Sequence, residues 1–184
     1  TIAGTASRPE DNVGYSAAQL GVAQLVAAVP ALASVPIEAE QVAQLDSKDM
    51  TLAVLHTLAA RVQAHLARER VAGVVITHGT DTLEETAWLL HQVLLSGKPV
   101  VLTAAMRPAS SLQADGPQNL LDAVTVARTA GTGGVAVVLD GRVWAGAELR
   151  KLHSYRTAAF GAGEAGPLGW LEEGVLRHAR PWPP

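Results

Sequence analysis

"VVITHGTDTLEET", residues 74–86, decides how this chain folds. The β-branched run Val74 to Thr77 ends at His78, Gly79, Thr80 and Asp81, and a helical pattern follows at once. A short apolar run that breaks at Gly and passes into a 3.6-residue period is a buried strand feeding a helix. "KPVVLTAAM" (98–106) followed by "DGPQNLLDAVTVARTAG" (115–131) repeats the pattern, with Pro117 at the first helical turn. Upstream, "MTLAVLHTLAARVQAHLARER" (50–70) spaces Leu52, Leu55, Leu58, Val62 and Leu66 as one helix face. Strands that are continuously apolar and alternate with helices predict an α/β fold. The expected form is a doubly wound, mostly parallel sheet with helices on both faces, in three α/β/α layers.

Other elements are marked by their ends. In "YSAAQLGVAQLVAAVP" (15–30), Ser16 is the expected N-cap and Pro30 the stop. In "DTLEETAWLLHQVLLSG" (81–97), Thr82 and Glu85 have capping-box spacing. "VPIEAEQVAQLDSKDM" (35–50) reads as an extended segment. "GGVAVVLDGRVWAG" (133–146) reads as a strand turning at Asp140-Gly141, and the tail after Gly166 as a small hairpin.

Composition narrows the functional classes. The 184 residues are 48% hydrophobic and only 4% aromatic, enough for one domain whose core is Ala, Val and Leu. A net charge of -3 without a basic block argues against nucleic acid or an anionic membrane as partner. No apolar run is long enough to span a bilayer. Cysteine is absent, which excludes disulfide and thiolate chemistry. No histidine spacing suits a metal and no glycine pattern suits a nucleotide, so neither metal nor cofactor is expected.

In doubly wound folds the ligand lies beyond the carboxyl ends of the strands. Those ends are "LDSKD" (45–49), "THGTD" (77–81) and "TAAMRP" (103–108), all rich in small or hydroxyl side chains. Gly79-Thr80-Asp81 has two readings at this point: a helix cap, or a cap whose neighbours face a cleft. His78 reads more readily as a structural hydrogen-bonder than as a base. By local sequence alone Lys151 is a solvated charge, Tyr15 a helix-entry residue and Thr1 a terminus.

Joined together, these segments resemble one family. "VVITHGTDTLEETAWLL" is similar to the second signature of the bacterial-type L-asparaginases, and "TIAGTA" (1–6) to the end of the first. "DSKDM", "TAAMRPASSLQADGPQNLLDA" and "GPLGW" resemble further family segments in the same order. The resemblance covers nearly the whole chain, residues 1–184, as the N-terminal catalytic domain. It implies hydrolysis of the L-asparagine side-chain amide to L-aspartate and ammonia through a threonine nucleophile. Thr1 matches the nucleophile, and Tyr15, on the loop "TASRPEDNVGY", matches its partner. Thr80, Asp81 and Lys151 match a second group. Ser47, with Asp81, matches the holders of the α-carboxylate and α-amino group; Gly79 and Thr80 offer backbone N–H groups to an oxyanion, and Ala105 a carbonyl to the amide. A lysine neutralised by burial and neighbouring cations is expected to take the Thr80 proton. No cofactor is implied; a homo-oligomer and a cytoplasmic rather than periplasmic location are.

The chain departs from the family pattern in places. A strand and a Thr-Gly-Gly are expected ahead of Thr1, and without that strand a sheet edge would lie open. A smaller second domain is expected beyond "RPWPP", and its absence predicts weaker substrate binding. Lys48 and Arg150 stand where the family usually has Gln or Glu, and Thr. Competing functions are an amidohydrolase acting on both asparagine and glutamine, the asparaginase-like subunit of a tRNA-dependent amidotransferase, and an inactive amino-acid-binding or oligomerisation module.

Overall fold

The computed structural model describes residues 2–95 and 97–182. A six-stranded mixed sheet carries the domain. Its strands are β3 (Val74–Thr77), β4 (Val100–Thr103), β5 (Val135–Leu139), β6 (Arg142–Ala145), β9 (Gly169–Glu172) and β10 (Val175–His178). The spatial order is β10-β9-β6-β5-β4-β3. Small two-residue ladders pair β1 (Thr5–Ala6) with β2 (Tyr15–Ser16), and β7 (Arg150–Lys151) with β8 (Phe160–Gly161). The helices are α1 (Val22–Ala27), α2 (Leu52–Leu66), α3 (Leu83–Val93) and α4 (Gly116–Arg128).

The α/β layering follows from side-chain alternation along the strands. Val100 and Leu102 of β4 point into a core with Leu58 and Val62 of α2 and Leu83 and Leu90 of α3. Val101, between them in sequence, points the other way into a core with Ala123 and Val126 of α4. Strands β4 and β5 are buried along their whole length because both of their faces are covered. Parallel pairing is confined to β3, β4 and β5; the pairings β5–β6, β6–β9 and β9–β10 are antiparallel. Two hairpin turns make this second half. Asp140 and Gly141 have φ of 52° and 66°, and Glu173 and Gly174 have 51° and 75°, the left-handed pairs that close two-residue hairpins.

Two of the expected caps are not formed. The first helix begins at Gly21, whose N–H donates to Gln24 Oε1 at 2.9 Å, because Ser16 is drawn into the ladder opposite Thr5. Thr82 starts α3, but its hydroxyl donates to the Ser47 carbonyl at 2.8 Å instead of capping the helix, so no capping box with Glu85 exists. The buried Ser47 carbonyl has no water to accept from, and the Thr82 hydroxyl supplies its donor. Residues 35–45 form no strand; they cross the domain as an irregular segment that ends in the short 3-10 turn Ser47–Asp49.

Among the described residues β3 is an edge strand. Its outer side lines a slot of about 730 Å³, walled by Leu58 and Val62 on one face and Leu120 and Val124 on the other. The slot opens at the carboxyl end of β3, beside Tyr15 and Thr80.

Candidate active site

Strand β3 ends by delivering His78, Gly79, Thr80 and Asp81 to the mouth of the slot. His78 fixes the turn. The ring is buried, with Nδ1 2.7 Å from the Gly79 carbonyl and Nε2 3.1 Å from Thr86 Oγ1. A carbonyl can only accept, so Nδ1 carries the proton and Nε2 accepts from the threonine hydroxyl. Burial holds its pKa below the ordinary 6.5. Both ring nitrogens are occupied by structure, in keeping with the structural reading of His78.

Gly79 is dictated by Ser47. A Cβ at Gly79 would lie 2.3 Å from Ser47 Oγ and 2.7 Å from Ser47 Cβ. Ser47 is itself buried, and its hydroxyl accepts from the Asp81 N–H at 3.2 Å. The turn at residues 47–49 therefore locks onto the β3 end through a serine and a glycine that are far apart in sequence.

Lys151 arrives from β7. Its ammonium donates to Thr80 Oγ1 at 2.9 Å and to Asp81 Oδ1 at 3.0 Å, and its side chain is 23% exposed. Its backbone N–H donates to the Glu84 carboxylate in the first turn of α3. The charged partner of Lys151 is an anion, not the neighbouring cations expected from sequence. Thr80, Asp81 and Lys151 thus form one hydrogen-bonded cluster, and Ser47 and Gly79 form its floor.

Tyr15 lines the same cavity as Ser47, Thr80 and Asp81. Burial, then the charges of Asp81 and Asp46, raise its pKa above 10.0. Ala105 is fully buried beside Ile2 and Leu120, two residues past the Thr103 that pairs with Thr77. Thr1 lies outside the described residues. Lys48 donates to its neighbours Asp46 and Asp49 at 3.0 and 2.9 Å, within its own turn. Arg150 donates to the Leu149 carbonyl at 2.8 Å.

Sequence reading missed the supports of this cluster. Asp115 accepts from the N–H groups of Met106 and Arg107 at 3.0 and 2.9 Å. Asn119 donates to the Ala104 carbonyl at 2.9 Å and to Asp115 at 3.1 Å, while its Oδ1 accepts from the Asp140 N–H at 3.1 Å. Asp and Asn four residues apart at a helix start share one face, and that spacing was the available signal. Among the described residues no three groups of metal-binding type converge on a point.

An acidic group for an ammonium, a lysine on a threonine hydroxyl and a tyrosine across a small cavity make a constellation suited to amide hydrolysis. The family model for asparaginase, N-terminal, matches residues 1–183. This chain belongs to the asparaginase family. It is 39% identical over 177 residues to the glutaminase-asparaginase of Pseudomonas fluorescens biotype A, covering 95% of this chain and 49% of that protein. It is 39% identical over 169 residues to L-asparaginase 2 of Escherichia coli K12, covering 90% of this chain and 48% of that protein. The crystal structure of a probable cytoplasmic L-asparaginase from Campylobacter jejuni superposes with a TM-score of 0.95 at 37% identity, over 98% of this chain and 56% of that one. The chain spans about half the length of the curated relatives it matches.

Proposed function

We propose that this domain hydrolyses the side-chain amide of L-asparagine, giving L-aspartate and ammonia. The observation that carries the reading is the ammonium of Lys151 forked between Thr80 Oγ1 and Asp81 Oδ1 at 2.9 and 3.0 Å. Asp81, half-exposed at the cavity, receives the α-ammonium of the substrate, and the Ser47 turn meets the α-carboxylate. As general base Lys151 accepts the Thr80 proton while Thr80 takes one from the attacking water, and the reverse transfers protonate the leaving amine. Thr1, with Tyr15 as its partner, supplies the nucleophile of the acyl-enzyme step; Gly79 and Thr80 N–H groups serve the oxyanion and the Ala105 carbonyl the amide nitrogen.

Ammonia release from L-asparagine tests this. Turnover by the wild-type chain, and a loss of at least about 10²-fold in both Thr80→Ala and Lys151→Ala, are expected. Full activity in either variant would remove the cluster from the chemistry. The likeness to glutaminase-asparaginases supports a second reading, in which L-glutamine is also a substrate; parallel assays with both amides separate the two. We further propose a homo-oligomer, located in the cytoplasm in keeping with the structural neighbour. Among the described residues no helix is long and apolar enough to cross a membrane.

A further inference from the structure

The segment that carries Tyr15 is held by hydrogen bonds rather than by burial. From Thr5 to Leu20 no residue is buried, and Val13 is 75% exposed. The segment has its own internal turn: Asp11 Oδ1 accepts from the N–H groups of Val13 and Gly14 at 2.9 and 2.7 Å. What fixes it against the domain is the loop 108–112, which follows "TAAM" and is anchored at its base by Asp115 and Asn119.

Ser110 grips one residue from both sides. Its Oγ accepts from the Ala6 N–H at 2.7 Å and donates to the Ala6 carbonyl at 3.4 Å. Ala6 is the residue directly opposite Tyr15 in the β1–β2 ladder. Ser111, buried, donates to Asn12 Oδ1 at 2.6 Å and accepts from the Gln113 N–H at 3.0 Å, so its hydroxyl is fixed at both ends. Backbone bonds from Ala109 to Gly4 and from Leu112 to Pro9, at 2.7 and 3.2 Å, complete the contact.

We infer that Ser110 and Ser111 are positioning residues: they clamp the 4–16 segment so that Tyr15 stands over the Thr80–Asp81–Lys151 cluster. The inference rests on the reading of Tyr15 as a working residue of that site. A hydroxyl that meets both polar groups of Ala6 sets the height of the ladder, and the ladder sets where the tyrosine ring enters the cavity. Little apolar contact replaces the clamp when it is removed, because no side chain between Thr5 and Ser16 is fully buried.

The test combines turnover with amide exchange. Ser110→Ala should lower asparagine turnover about tenfold, and Ser110→Thr, which keeps the hydroxyl, should stay within about twofold of wild type. Placed on a Tyr15→Phe background, Ser110→Ala should add less than about twofold, because both changes remove one coupled function. Hydrogen exchange at Ala6 should quicken in Ser110→Ala but not in Ser110→Thr, with β3, β4 and β5 unchanged. Ser111→Ala should give the same pattern around Asn12 and serves if the first variant folds poorly. An equal loss in both backgrounds, or unchanged turnover and exchange, overturns the inference. A wild-type chain that releases no ammonia, or a Tyr15→Phe variant as active as wild type, overturns the reading of Tyr15 instead. Exchange alone then decides whether the serines hold the segment.

Discussion

One of the tightest demands among the described residues falls on a single hydrogen atom. Gly79 has no side chain because Ser47 already occupies the place a Cβ would take, 2.3 Å from its hydroxyl. Gly79→Ala must push Ser47 aside and break the bond that the Asp81 N–H donates to its hydroxyl, disturbing the floor of the Thr80–Asp81–Lys151 cluster. Overpacking of this kind costs about 1–3 kcal/mol. The expected result is a lower Tm together with a raised KM for asparagine; an unchanged KM would show that the floor does not meet the substrate. His78 gives a second residue-level expectation, this time in pH. Its folded pKa lies below the ordinary 6.5 because it is buried. Below that value the unfolded chain binds a proton that the folded chain refuses, so stability falls as pH drops beneath 6.5. His78→Gln keeps an acceptor and a donor but cannot titrate. Denaturant midpoints at pH 7 and pH 5 should therefore differ less in the variant than in wild type. Equal slopes would sink the assignment.

Among the elements, the irregular segment 35–45 is the one held most by charge. It forms no ladder, and it is tied through side chains to α2 and to the turn that follows it. Glu40 pairs with Arg61 at 2.7 Å and with His65 at 2.7 Å, and Glu38 pairs with Arg68 at 2.5 Å. The Arg61 hydrogen bond, then that of His65, lowers the Glu40 pKa from 4.5 to about 2. A depressed carboxylate stabilises fully above its unfolded value, and the contribution disappears as pH falls through its folded one. The Tm difference between wild type and Glu40→Gln should hold steady above about pH 5 and vanish toward pH 2, shrinking also with added salt. A difference that persists at pH 2 would mean that the tie is not ionic. Helices α2, α3 and α4 were legible in sequence because their apolar period is long and unbroken. The capping of α3 was not. Thr82 was legible as the first residue of α3, but its hydroxyl goes to a carbonyl 35 residues away. A local capping rule has no access to that competitor.

For the whole molecule, the slot beside β3 is the outstanding feature among the described residues: it is walled by α2 and α4 and opens beside Tyr15, Thr80 and Asp81. Sequence alone determined the layered α/β class, the three long helices, the turn at Asp140-Gly141 and, through the family resemblance, the grouping of Thr80, Asp81 and Lys151. It could do so because period, turn chemistry and signature residues are properties of short windows. Tertiary structure decided the rest: the antiparallel half of the sheet, the Ser47–Gly79 contact, the bracket of Asp115 and Asn119, and the anion beside Lys151. Lys151 lies 71 residues from Thr80 along the chain, and Ser110 lies 104 from Ala6. Whether such groups meet depends on which strands pair and in what register, and that is set by the free energy of the whole packed core.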